Sequence, residues 1–202
     1  MFLSGEDREG TGSAIGRRVF LAGMGAAAFA LAFSHFDKRD EMSAEAAPAG
    51  PPKIVTIVEF SDAGSRKNAV NVAMIVKSDA DWRKQLSADQ FEITRRAGTE
   101  RPYSGDNLDV HVKGVFRCIC CDTALFDAAT KFESGTGWPS FWAPIAKENV
   151  WETRDISFGI VRTEVSCRLC AAHLGHVFDD GPPLTGLRYC MNSLALRFAK
   201  AT

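Results

Sequence analysis

Two Cys-x-x-Cys pairs constrain this 202-residue chain more than any other feature: Cys118 with Cys121, and Cys167 with Cys170, the second pair 46 residues beyond the first. Two intervening residues let both sulfurs of a pair turn toward one ion, so four thiolates on one tetrahedral Zn²⁺ per chain is the expected arrangement. The separation exceeds the roughly 15–20 residues of a zinc ribbon, so the segment between the pairs has to be structured and the ion has to tie distant stretches together. Two disulfides or buried free thiols are the alternatives. Cys167, Cys170, His173 and His176 also fall at intervals of three, which admits a Cys₂His₂ site from one segment but would strand Cys118 and Cys121.

The amino-terminal region reads as an address. Gly16-Arg17-Arg18 precedes an uncharged, mostly apolar run from Val19 to Phe33, followed by a charged stretch and Ala44-Glu45-Ala46. These are the three parts of an export signal, and fifteen apolar residues fall short of the roughly 20 that a spanning helix needs. The Arg-Arg pair resembles a twin-arginine signal, a route for proteins already folded and metal-loaded, which would deliver the chain to the periplasm. Residues 1–46 are therefore expected to be the signal, cut after Ala46 or Ala49, with membrane association only if it stays uncleaved. Residues 47–53, rich in Ala, Pro and Gly, read as a linker.

What remains, about 160 residues, suits one domain. Its Lys+Arg and Asp+Glu counts of 24 and 25 leave a net charge of -1, which gives no electrostatic reason to expect nucleic acid as a partner. With 46% hydrophobic residues a core can form. Ile54–Phe60 and Val70–Val76 are β-branched runs around the turn 61–65, predicting a leading hairpin over 54–77. Ser78 is a cap ahead of Trp82–Leu86, and Ser87-x-x-Gln90 is a capping box before Phe91–Ala97, closed by Gly98, predicting two short helices. Beyond Pro102, brief apolar runs between frequent turn residues favour a mainly β, antiparallel domain over 78–202.

Four Cys on zinc leave Cys120 and Cys190. Arg188, two residues from Cys190, would share its face of a strand and lower its thiol pKa, and the thiolate is the nucleophilic form. Cys190 is the candidate nucleophile.

Glu100-Arg101-Pro102-Tyr103-Ser104-Gly105, Ser134-Gly135-Thr136-Gly137-Trp138-Pro139-Ser140-Phe141, Arg162-Thr163-Glu164-Val165, His173-Leu174-Gly175-His176-Val177-Phe178 and Arg188-Tyr189-Cys190-Met191-Asn192-Ser193 together resemble the methionine-R-sulfoxide reductases of the B type, from about Ser78 to Phe198. The resemblance implies two antiparallel sheets with short leading helices, a structural zinc opposite the active site, and reduction of the R epimer of methionine sulfoxide in oxidised proteins. It implies Cys190 as nucleophile passing through a sulfenic acid, His176 and His173 as acid-side histidines, Asn192 as hydrogen-bond partner of the substrate oxygen, Arg188 as electrostatic helper and Trp138 as the wall for the S-methyl group. An imidazole with an ordinary pKa near 6.5 is suited to give the proton that makes the sulfoxide sulfur electrophilic. In one branch of the family a resolving Cys stands where this chain has Thr136. Cys120 is then the remaining thiol that could resolve the sulfenic acid, and direct reduction by a thioredoxin-like dithiol or another thiol is the leading expectation. A zinc-knuckle binding module using Trp138, Phe141 and Trp142, and a thiol-disulfide oxidoreductase using one Cys-x-x-Cys, are the alternatives from other classes.

Overall fold

The computed structural model describes residues 51–156 and 161–202. The export signal of residues 1–46, its cleavage positions and most of the 47–53 linker lie outside the described residues.

β1 (Ile54–Phe60) and β2 (Arg66–Ala73) form an antiparallel hairpin, turning where Gly64 takes a left-handed φ of 79°. β2 begins four residues before the β-branched run Val70–Val76 and ends three residues before it does. Its first half, Arg66–Ala69, is exposed, so backbone pairing with β1 extends the strand without help from apolar side chains. The buried side chain of Asn149 fastens β1 to the domain. Its Oδ1 accepts from the Val58 N–H at 2.7 Å, and its Nδ2 donates to the carbonyls of Val58 (2.8 Å) and Ala124 (2.7 Å).

α1 (Asp79–Gln85) and α2 (Ala88–Arg96) start at the caps read from sequence. Ser78 accepts from the Asp81 N–H, and Ser87 with Gln90 makes the reciprocal capping box. The sequence predicts that Gly98 closes α2, and the residue that takes the left-handed conformation at its end is Ala97 (φ 53°). Gly98 instead runs its backbone so close to the Glu92 carbonyl that a Cβ there would crowd it. Trp82 and Phe91 bury the inner faces of the two helices.

The remaining strands are β3 (Gly114–Cys118), β4 (Ala124–Asp127), β5 (Lys131–Phe132), β6 (Ser140–Phe141), β7 (Val150–Asp155), β8 (Arg162–Cys167), β9 (His173–Phe178), β10 (Arg188–Met191) and β11 (Leu196–Lys200). They build a three-stranded sheet in the order β11-β3-β4 and a six-stranded sheet in the order β5-β6-β10-β9-β8-β7, every pair antiparallel. The mainly β, two-sheet architecture with leading helices is therefore as expected, with the hairpin as a third, two-stranded sheet. Aromatic rings join the two larger sheets. Phe126 of β4 stacks on Phe141 of β6 at 4.4 Å, Phe116 of β3 meets Phe141 edge-on at 5.0 Å, and Tyr189 of β10 lies 5.8 Å from Phe126. Such pairs add about 0.5–1.5 kcal/mol each beyond their burial.

Candidate active site and metal centre

The β3–β4 turn carries Cys118 and Cys121, and the β8–β9 turn carries Cys167 and Cys170; the four Sγ atoms lie within 4.8 Å of one another. Cys118 Sγ is 3.6 Å from Cys170 Sγ and Cys121 Sγ is 3.5 Å from Cys167 Sγ. All four are free thiols, so the two-disulfide alternative does not hold. Four sulfurs at about 2.3 Å from a central Zn²⁺ stand about 3.8 Å apart, which this cluster meets after a small adjustment. Protons alone serve it poorly. Cys118, bonded to Cys120 and Cys121 and wholly buried, is pushed far up, while the bond from Cys118 pulls Cys121 far down. A divalent cation removes that conflict by stabilising all four thiolates together. The Cys₂His₂ alternative also fails, because His173 and His176 engage carboxylates elsewhere, Glu164 and Asp155.

The helices cover this centre. Gln85 Nε2 donates to the Cys120 carbonyl at 2.6 Å, and Arg95 donates to the Cys170 carbonyl at 2.9 Å. Cys120 itself is buried against Cys118, Cys170 and Thr94.

Cys190 sits on β10 with strands on both sides: it pairs with Ser140 of β6 and with His176 of β9. Directly paired residues share a face, so Cys190, His176, and then Glu164 and Thr153 across β8 and β7, form one row. Arg188, two residues back, shares that face and lies over the Phe178 ring at 4.5 Å. A cleft of about 150 Å³ opens here, lined by Trp138, Arg162, His176, Phe178, Cys190 and Asn192, with Thr99, Gly175 and Met191.

Spacing alone would put His173 and His176 on opposite faces of a strand. The β8–β9 pairing carries an irregularity: Val165 and Ser166 are adjacent, yet their partners Gly175 and His173 are two apart. The extra residue on β9, Leu174, flips the alternation, and the two rings meet edge-on at 5.4 Å. Gly175 is required beside it, because a Cβ there would overlap the Cys190 carbonyl oxygen. His173, buried and bonded through Nδ1 to Glu164 at 2.6 Å, backs His176 rather than lining the cleft, and its Nε2 has no hydrogen-bond partner among the described residues.

Two electrostatic expectations need correction. Arg188 does pull the Cys190 thiol down, with the Thr136 and Ser140 hydroxyls, but burial outweighs them and leaves it above the ordinary thiol value. Arg188 is also shared, since it forms a two-pronged ion pair with Asp180 at 2.8 Å on both arms. His176, in turn, is pushed below its ordinary value by burial, although Asp155 at 2.8 Å works the other way. Its resting state near neutral pH is therefore the uncharged imidazole.

Asn192 follows β10, just outside the strand, and is 3% exposed. Its Oδ1 accepts from the Glu100 N–H at 3.0 Å and its Nδ2 donates to the Leu174 carbonyl at 3.1 Å, which fixes the orientation of the amide and leaves the second Nδ2 N–H. Trp138 Nε1 donates to the Glu100 carbonyl at 3.2 Å. Thr136 Oγ1 lies 3.9 Å from Cys190 Sγ and bonds Ser134, which bonds Ser140. Sequence reasoning missed Asp155 and Ser140, which only the strand register reveals, and gave Glu100 no role beyond its place in a motif.

The SelR domain family matches residues 86–200. Proteins named peptide methionine sulfoxide reductase MsrB are close relatives. That of Hahella chejuensis is 54% identical over 127 residues, 63% of this chain and 91% of the relative. That of Pseudomonas syringae pv. syringae is 55% identical over 120 residues, 59% and 92% of the two chains. That of Herminiimonas arsenicoxydans is 52% identical over 124 residues, 61% and 90%. The SelR match spans more than half of the sequence and takes in the four clustered cysteines and Cys190, so the chain belongs to the SelR family of B-type methionine sulfoxide reductases.

Proposed function

We propose that this chain reduces the R epimer of methionine sulfoxide in oxidised proteins, with Cys190 as nucleophile. The observation that carries the reading is the direct pairing of Cys190 with His176 on the sheet face that opens into the cleft walled by Trp138 and Phe178. The S-methyl group packs on the indole, an apolar contact that reads shape. The second Nδ2 N–H of Asn192 meets the sulfoxide oxygen. His176 starts neutral, and its Nε2–H is committed to Asp155, so Nδ1 is the free base; it takes the Cys190 proton and passes it to the departing oxygen. The Cys190 thiolate attacks the sulfoxide sulfur that this proton makes electrophilic, and as the adduct collapses the substrate's S–O bond breaks and the oxygen passes to the Cys190 sulfur: thiol plus sulfoxide becomes sulfenic acid plus thioether, with no atom left over. Arg188 favours the thiolate as it forms.

Recycling falls to an external thiol reductant of the thioredoxin-like kind. Two thiols reduce the sulfenic acid to Cys190 thiol and water while forming one disulfide. The burial of Cys120 beneath the helices at the metal centre favours this over an internal resolving step. The Cys120→Ala variant should keep both its first turnover and its recycling.

The metal centre holds one structural Zn²⁺ through Cys118, Cys121, Cys167 and Cys170 and takes no part in the chemistry. Residues 1–46 serve export by the twin-arginine route and 47–53 link them to the hairpin and the reductase domain of 78–202. The periplasm is the proposed destination, with membrane association only where the signal is retained. Among the described residues no helix is long and apolar enough to cross a membrane.

The test is single-turnover reduction of peptides carrying resolved R and S epimers by pre-reduced protein, beside Cys190→Ser. About one equivalent of methionine from the R peptide alone, lost in the variant, is expected. No product from either epimer with zinc-loaded protein would overturn the reading.

A further inference from the structure

We propose that Glu100 is a positioning residue for this reaction: its buried carboxylate fixes the loop whose backbone holds both Asn192 and Trp138 at the Cys190 cleft. The inference rests on the reading above that these two side chains meet the substrate.

Glu100 makes four hydrogen bonds, and each bears on the site. Its N–H donates to Asn192 Oδ1 at 3.0 Å, and its carbonyl accepts from Trp138 Nε1 at 3.2 Å. One peptide unit on each side of a single Cα thus orients the amide that meets the sulfoxide oxygen and the indole that meets the methyl group. The carboxylate secures that Cα from the other end. Oε1 accepts from the Ser193 N–H at 2.6 Å and Oε2 from the Leu194 N–H at 2.9 Å, so the loop is bonded to the turn that immediately follows Asn192. Trp138 and Asn192, on separate segments, are thereby held by one residue.

Packing does not supply this positioning. A hollow of about 410 Å³, lined by Asp89, Glu92, Gly98 and Arg101 among others, borders Thr99 and Glu100, so the loop lacks a filled apolar layer behind it. Glu100 is 7% exposed, and burial raises the pKa of its carboxyl while the two N–H groups pull it down. An acid kept in such a place for packing alone would be better replaced by an apolar side chain of its size. The two accepted N–H bonds are what the carboxylate contributes.

Glu100→Gln keeps the shape but turns an NH₂ toward one of the two N–H donors, breaking one bond. We expect kcat/KM for the R-epimer peptide to fall about tenfold, the scale of one buried acceptor lost, while alkylation of Cys190 by iodoacetamide stays at the wild-type rate. The Trp138 indole N–H, assigned by its disappearance in Trp138→Phe, should lose protection from solvent exchange in Glu100→Gln. A variant that only melts earlier, with wild-type kcat/KM below its midpoint and a protected indole N–H, overturns the proposal. Should Glu100→Gln not fold, the wild-type protein decides: slow exchange of the Trp138 indole N–H supports the strut, and exchange at the rate of free indole overturns it. Failure of the underlying reading looks different. In that case Trp138→Ala and Asn192→Ala themselves leave R-epimer kcat/KM unchanged.

Discussion

Cys190 and His176 face each other with their charges suppressed, a thiol held up and an imidazole held down by the same burial. A cleft that must receive a thioether has to be dry, and dryness favours neutral forms on both partners. The Thr136 hydroxyl, Arg188 and the Ser140 hydroxyl oppose this on the thiol, and Arg188 is the charged one of the three. The Arg188→Met variant should slow Cys190 alkylation at neutral pH roughly threefold to tenfold, the range expected for loss of one nearby cation partly shared with a carboxylate; the pH midpoint of alkylation should move upward. An unchanged midpoint would mean that Asp180 already cancels Arg188. For His176 the sign runs the opposite way from an exposed histidine gaining a partner. Its folded pKa lies below its unfolded value near 6.5, so the unfolded chain takes up the proton first. Its contribution is complete above about pH 6.5 and is lost as pH falls toward the folded pKa. Urea midpoints of the wild type should drop more between pH 7.5 and 5.5 than those of His176→Gln, and equal drops would place the proton elsewhere. Cys190 and the cysteine pairs were legible in the sequence because their chemistry needs particular atoms at particular spacings. The direction of the pKa shifts was not, because Arg188 is adjacent in sequence while the burial that outweighs it comes from strands far apart in sequence.

At the scale of elements, caps and pairs were readable and irregularities were not. Ser78, Ser87 and Gln90 act within four residues of themselves, so their role is written locally. The extra residue at Leu174 depends on what β8 presents opposite, and no window of sequence contains both strands. The same holds for β5 and β6, two residues each, which exist as strands only through their neighbours. Gly175 makes the β9 irregularity testable. Gly175→Ala drives a methyl into the Cys190 carbonyl, so it should cost about 3 kcal/mol, the upper end for overpacking. It should also depress single-turnover rate, because the strand carrying the nucleophile has to move. Stability lost with full rate retained would show that the two strands can part without disturbing their paired side chains. Asn149 makes the same point for the hairpin, which precedes the SelR match. Its amide bonds Val58 and Ala124, and its carbonyl accepts from the N–H of Arg168, between Cys167 and Cys170. Asn149→Ala leaves three backbone groups unsatisfied, for a loss of about 3 kcal/mol by urea unfolding. Zinc transfer to a chromogenic chelator should quicken with it.

At the scale of the whole molecule, the two larger sheets are joined by aromatic rings at one place and by four sulfurs at another. The rings Phe116, Phe126, Phe141 and Tyr189 join the three-stranded sheet to the six-stranded sheet, and the cysteine cluster joins the β3–β4 turn to the β8–β9 turn. The magnitudes decide which join governs folding. Three aromatic contacts contribute about 1–5 kcal/mol together beyond burial, whereas a structural Zn²⁺ in four thiolates is worth about 10–16 kcal/mol at neutral pH. A domain of this size is stable by about 5–15 kcal/mol in all. Removing the metal therefore takes away as much free energy as the fold has to spare, and it leaves buried thiols that repel one another as they ionise. The purified chain should carry one zinc by elemental analysis. Stripped under reducing conditions with a strong chelator, it should lose its cooperative thermal transition and its single-turnover activity together, although the metal takes no part in the chemistry, and both should return with one equivalent of Zn²⁺. A stripped protein that melts cooperatively within a few degrees of the holo form would make the aromatic contacts the principal join and the metal centre an accessory to it.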